Sequence, residues 1–121
     1  MPGKINSLTE EEEATYLKND YLGISSIKLH EDVQHKCPLG EQVGVTHYEI
    51  EVHPGEVLAE FIKMHWEIQE MMGKTFTVEG GAKQVLEIMK HFYSDAKYIK
   101  VVASCPSNRH MAVDVELEYK R

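Results

Sequence analysis

Residues 44–55 read Gly44-Val45-Thr46-His47-Tyr48-Glu49-Ile50-Glu51-Val52-His53-Pro54-Gly55. This stretch decides the fold class. Tyr48, Ile50 and Val52 recur every second residue, with His47, Glu49 and Glu51 between them. A strand points successive side chains to opposite faces, so the spacing predicts a strand over 44–52 with one face on a core and the other in solvent, as in an antiparallel sheet. Pro54 and Gly55 end it, since proline cannot donate to a ladder and glycine favours a turn.

The same reading extends outward. Upstream, residues 24–33 place Ile27, Leu29 and Val33 at even spacing, interrupted by Glu31, and predict a partner strand. Cys37-Pro38-Leu39-Gly40 then falls on the connection between the two strands. Downstream, Leu58, Phe61, Ile62, His65, Ile68 and Met72 recur at helical spacing up to Gly73, which predicts a helix with a glycine cap. A second helix carries Ala82, Val85, Leu86, Met89 and Tyr93 on one face and Lys83, Glu87 and Lys90 on the other, with Gly80-Gly81 weakening its first turn. Residues 97–104 are rich in β-branched and aromatic types, and Met111, Val113, Val115, Leu117 and Tyr119 alternate with Ala112, Asp114, Glu116 and Glu118, giving two more strands. At the start, Ser7-Leu8-Thr9-Glu10 fits a capping box opening a short helix to about Lys18, with a turn over Asn19 to Gly23. The expected architecture is α+β: one domain over residues 1–121, in the order ββααββ, with a four-stranded antiparallel sheet, a helix pair on one face and an N-terminal helical extension over 1–20. An uncovered face and two sheet edges predict a homo-oligomer.

Composition bounds the function. The chain has 121 residues, 42% hydrophobic and 27% charged, as a single globular domain requires. Thirteen Lys and Arg against twenty Asp and Glu give a net charge of −7, which opposes non-specific binding to nucleic acid. No apolar run approaches the roughly 18–20 residues that cross a bilayer, and no export signal opens the chain; a cytoplasmic protein without a membrane partner is expected. In that compartment Cys37 and Cys105 are free thiols or metal ligands rather than a disulfide.

Several residues bear chemistry. Cys37 follows His35 and Lys36, whose charge favours a nucleophilic thiolate, while a small apolar cysteine also suits a core. Glu79 either compensates a helix dipole or accepts two N–H bonds from the edge of a purine-like or pterin-like ring. The segment Cys105-Pro106-Ser107-Asn108-Arg109-His110 gathers a thiol, a guanidinium and an imidazole, and reads equally as a polar turn. Cys37, Cys105 and His110, with His47, offer ligands that zinc accepts, although no Cys-x-x-Cys or His-x-x-x-His spacing is present. His65 and Trp66 read as packing residues, and Met64, Met71 and Met72 as core or interface. Gly-x-Gly-x-x-Gly, P-loop and Gly-x-Ser-x-Gly patterns are absent, which removes Rossmann, P-loop and serine-hydrolase chemistry.

Taken in order, Cys37-Pro38, Val52-His53-Pro54, Glu60-Phe61-Ile62-Lys63, Phe76-Thr77-Val78-Glu79 and Tyr98-Ile99-Lys100-Val101 resemble the motifs of the tunnelling-fold enzymes, most closely the QueF family of 7-cyano-7-deazaguanine reductases and its non-reducing archaeal relatives. The resemblance runs from Cys37 to about Tyr119, about two-thirds of the chain. It implies a strand pair, a helix pair and a second strand pair, assembled into a barrel with active sites between subunits, and a place in queuosine-type modification of transfer RNA. It further implies Cys37 as the nucleophile that forms a thioimide with the nitrile, Glu79 as the anchor of a purine-like substrate, and Glu60 and Arg109 as further binding residues. NADPH is the implied cofactor of the reductases, but of their Glu-Ser-Lys-Ser-Leu-Lys motif only Glu60 stands, followed by Phe61, Ile62, Lys63, Met64 and His65. The reductases' proton-donating aspartate is Gly44 here and the histidine before the anchoring glutamate is Val78, leaving Glu41 and Glu49 as substitute acids. The archaeal relatives add ammonia to the same nitrile. Two alternatives stay open: a metal-dependent enzyme similar to the GTP cyclohydrolases, with zinc on Cys37, Cys105 and His110, where Gly40 replaces the histidine of Cys-x-x-His, and a base-binding scaffold without catalysis.

Overall fold

The computed structural model describes residues 18–38, 43–105 and 111–121. Strands β1 (Ile27–Lys36), β2 (Val43–His53), β3 (Tyr98–Cys105) and β4 (Val113–Lys120) form one antiparallel sheet in the order β1-β2-β3-β4. Helices α2 (Phe61–Gln69) and α3 (Val78–Phe92) connect β2 to β3 and cover one face, after a single turn α1 (Asn19–Leu22). The expected ββααββ order is present. No helix among the described residues is long and apolar enough to cross a membrane.

The alternation of β2 builds the core. Tyr48, Ile50 and Val52 are fully buried, beside Ile99, Val101 and Ala103 of β3. Each such large side chain contributes about 1.5–3 kcal/mol on burial, more than the roughly 1 kcal/mol span of strand propensities, so Glu49 and Glu51 hold their places in the strand. Helix α3 lies over β3 and β4 with Ala82, Val85, Leu86, Met89 and the following Tyr93 all buried, the face its periodicity predicts. Gly81 is the close-approach point: a Cβ there would meet the Tyr48 hydroxyl and stand 2.7 Å from the Phe76 ring. The glycine that weakens the helix is the one that lets it reach the sheet.

Helix α2 departs from expectation. Only Met64 and Ile68, with Met71 in the next turn, enter the core, whereas Phe61, Ile62 and Met72 are exposed, as is Trp66 at 64%. Neither Trp66 nor His65 is a packing residue in the core. The reason is position: α2 lies over β1, at the edge of the sheet, so only a narrow stripe of it finds apolar cover. Glu31, which interrupts the apolar spacing of β1, faces this helix. Its carboxylate lies 2.7 Å from His65 Nδ1 and accepts from Gln69 Nε2 at 2.9 Å.

β1 begins at Ile27 rather than Ile24 and runs on to Lys36, which places His35 on its buried side. The capping box at Ser7 lies outside the described residues. The last residue of that expected helix, Lys18, is extended and bridges Val57, and the expected turn at Asn19 is the helical turn α1, closed by Gly23 at φ 69°. Asn19 ties it down by donating to Gly55 O and accepting from Ile24 N.

Gly81→Ala gains about 1 kcal/mol of helix propensity and loses about 1–3 kcal/mol to overpacking. Urea unfolding is expected to show a net loss of up to about 2 kcal/mol, against a change within about 0.5 kcal/mol for Gln84→Ala on the exposed side of the same helix.

Candidate functional site

At the end of β1 the chain makes a contact between segments distant in sequence. Gly73, at φ 77°, donates to Gln34 O at 2.8 Å; Lys36 N then donates to Lys74 O at 2.9 Å, and Phe76 N to Lys36 O at 3.1 Å. The approach to α3 therefore runs parallel beside the last residue of β1. Cys37 is the next residue, a free and exposed thiol. Glu79 lies three residues beyond Phe76, a span of at most about 10 Å, in the first turn of α3. Thr77 caps that helix by accepting from Gly80 N at 2.9 Å, and among the described residues the exposed Glu79 carboxylate has no hydrogen-bond partner. The thiol and the carboxylate share one end of the fold.

Beneath this end lies a buried polar group. His35, 4% exposed, places Nε2 2.6 Å from Thr46 Oγ1 and stacks on Phe76 with ring centroids 4.2 Å apart. Burial pushes the Tyr48 hydroxyl well above the ordinary phenol value, and the nearby Cys105 thiol adds to the rise. Thr46 stands near that hydroxyl without reaching hydrogen-bond geometry. Cys105 ends β3, buried and free, and a Cβ at Gly44 would lie 3.9 Å from its sulfur. Gly44 pairs with His35 across the ladder, so a side chain at position 44 would point into this polar group.

Other candidates are placed elsewhere. Glu60 caps α2, its two carboxylate oxygens accepting from Ile62 N and Lys63 N at 3.0 Å each. Glu49 pairs with His30, seven residues before Cys37 and about 23 Å away along the strand, so within one protomer it does not reach the thiol. His47 stands on the helix-free face with Nδ1 2.6 Å from Asp32 Oδ1. Arg109, His110 and Glu41 lie outside the described residues. A groove of about 260 Å³ between β1 and α2 is lined by Leu29, Glu31, Phe61 and His65 among others. Neither Cys37 nor Glu79 borders it, and its Glu31 and His65 hold α2 to the sheet. The buried pair His35 and Thr46 escaped the sequence reading; their only signal is the even spacing from Val33 and from Tyr48.

No family model matches the sequence, and no curated protein matches it. Solved structures do resemble the fold. An archaeosine synthase QueF-like in the apo form aligns with a TM-score of 0.72 at 20% identity, over 78% of this chain and 93% of that one. A putative dihydroneopterin aldolase from Vibrio cholerae aligns with a TM-score of 0.66 at 13% identity, over 81% and 98% of the two chains. The dihydroneopterin aldolase of E. coli, solved in complex with neopterin, gives 0.62 at 15% identity over 79% and 99%. Identities this low speak for architecture alone, and the architecture they share with this ββααββ sheet is the tunnelling fold.

Proposed function

We propose that the protein binds a flat bicyclic base of the purine or pterin kind at the Cys37 and Glu79 end of the sheet, and that the Cys37 thiolate adds to the nitrile of 7-cyano-7-deazaguanine. The observation that carries this reading is the pairing of Lys36 with Lys74 and Phe76, which brings the loop of the thiol to the helix start of the acid. Glu79 accepts two N–H bonds from the ring edge in a charge-assisted contact. In the addition, a sulfur–carbon bond forms, one π bond of the nitrile opens, and the nitrogen takes up a proton to give a thioimide. Attack by ammonia on the same carbon then expels the thiolate and leaves an amidine. Reduction by NADPH suits this surface less: the positions of the reductase motif carry exposed Phe61 and Ile62, and Glu60 is engaged as a cap.

Cys37 and Glu79 are both exposed, so the proposed site has one wall. The reading therefore includes a homo-oligomer in which a neighbouring copy closes the pocket and excludes water. Arg109 remains a binding residue through the resemblance.

Incubation with 7-cyano-7-deazaguanine is expected to raise the intact mass by that of one ligand per chain, and Cys37→Ala to abolish the gain. An unmodified wild-type chain that still binds the base would instead mark a scaffold. Glu79→Gln is expected to weaken base binding about 10–100-fold, since one strong acceptor is replaced by an amide with a donor facing a donor. Glu60→Ala is expected to cost about 1 kcal/mol in urea unfolding, as a lost helix cap does, with base affinity unchanged.

A further inference from the structure

The helix-free face of the sheet carries a second group of side chains that the reading above does not use. In the β1–β2 ladder His30 stands directly opposite Glu49, and Asp32 directly opposite His47. Since side chains of one face repeat every second residue, these four form a rectangle on the side away from the helices. One ligand atom from each of His30, His47 and Glu49 lies within 4.8 Å of the other two. The two imidazoles are stacked with centroids 5.7 Å apart.

We propose that His30, His47 and Glu49 bind a divalent transition metal of the zinc type, with Asp32 as the positioning residue for His47. Three features argue for an ion rather than a solvated surface cluster. First, Asp32 Oδ1 lies 2.6 Å from His47 Nδ1, the carboxylate–histidine contact that fixes a ring and its tautomer and leaves Nε2 as the coordinating nitrogen. Second, among the described residues neither His30 nor Glu49 has a hydrogen-bond or ion-pair partner, so no existing bond opposes coordination. Third, the ladder neighbours of Glu49 are His30 on one side and Val102 on the other, so no cation stands directly across from it. Two imidazoles and a carboxylate are the nitrogen and oxygen donors that zinc accepts, and three protein ligands leave a fourth position for water or a bound group.

Distance decides what the site must do on binding. Ligand atoms of a tetrahedral zinc lie about 3.3 Å apart, so the three groups, within 4.8 Å of one another, draw together by at most about 1.5 Å. His30 and Glu49 are exposed and His47 is half-buried, so side-chain rotation supplies this movement without shifting the strands. This set is separate from the thiol set: Cys37 lies seven residues beyond His30, and Cys105 is buried on the helix side of the sheet.

Equilibrium dialysis of the full chain, stripped with chelator, against zinc sulfate is expected to give one zinc per chain. His30→Ala, His47→Ala and Glu49→Gln should each weaken binding at least tenfold, and Asp32→Asn about 10–100-fold, with urea midpoints unchanged. Cobalt in place of zinc should show visible d–d bands without the near-ultraviolet thiolate-to-cobalt band, in wild type and in Cys37→Ala alike. No retained metal, metal retained equally by the histidine variants, or a thiolate band lost in Cys37→Ala would each overturn the proposal.

Discussion

A strand hydrogen-bonded on both edges can differ only between its two faces, and β2 is such a strand, paired with β1 on one side and β3 on the other. Everything of interest in the molecule hangs on that division. Its inner face runs from the polar pair partner Gly44 through Thr46 to Tyr48, Ile50 and Val52, so it passes from the buried polar group beneath Cys37 into the apolar core. Its outer face carries His47, Glu49, Glu51 and His53. A slip of one residue in the β1–β2 register would exchange the faces, placing two glutamates in the core, each far costlier to bury than an apolar side chain is favourable. The burial of three large residues therefore fixes the register, and the register in turn fixes which histidine meets which acid.

What could be seen in the sequence follows from how local each determinant is. The alternation of β2 and β4 and the apolar stripe of α3 are periodic over eight or more residues, and these elements stand where the pattern puts them. The inward face of α2 was not legible, because a helix of nine residues at a sheet edge buries only the stripe that its neighbour covers. Phe61, Ile62 and Met72 belong to the periodic pattern but remain more than half exposed. His35 was hidden for a related reason: the ladder carries β1 past Val33, and the extension depends on backbone partners at Lys74 and Phe76 that no local window contains. The quartet of His30, Asp32, His47 and Glu49 exists only through the ladder. Seven histidines scattered along a chain carry no spacing signal, and it takes the register to bring two of them to one place.

The meeting of the end of β1 with the segment leading into α3 was legible only through resemblance, and its physical basis is the contact at Lys36. That contact also shows why local motif and local structure part company at Glu60 and Glu79. Both are acids at helix starts, where an N-terminal dipole favours negative charge. At α2 the residue in the capping position is Glu60 itself, so its carboxylate turns back to accept two backbone N–H groups. At α3 the capping position falls two residues earlier, on Thr77, whose hydroxyl takes the Gly80 N–H. Glu79 therefore enjoys the favourable end of the dipole without being drawn into the cap.

This difference of register within a helix start is what engages one acid in a cap and leaves the other without a backbone partner among the described residues. A shift of the cap from Thr77 to Glu79 would engage that carboxylate as Glu60 is engaged, and the first turn of α3 would no longer present an open acceptor. The short threonine side chain before α3 thus holds the condition on which the proposed recognition of a base by Glu79 rests.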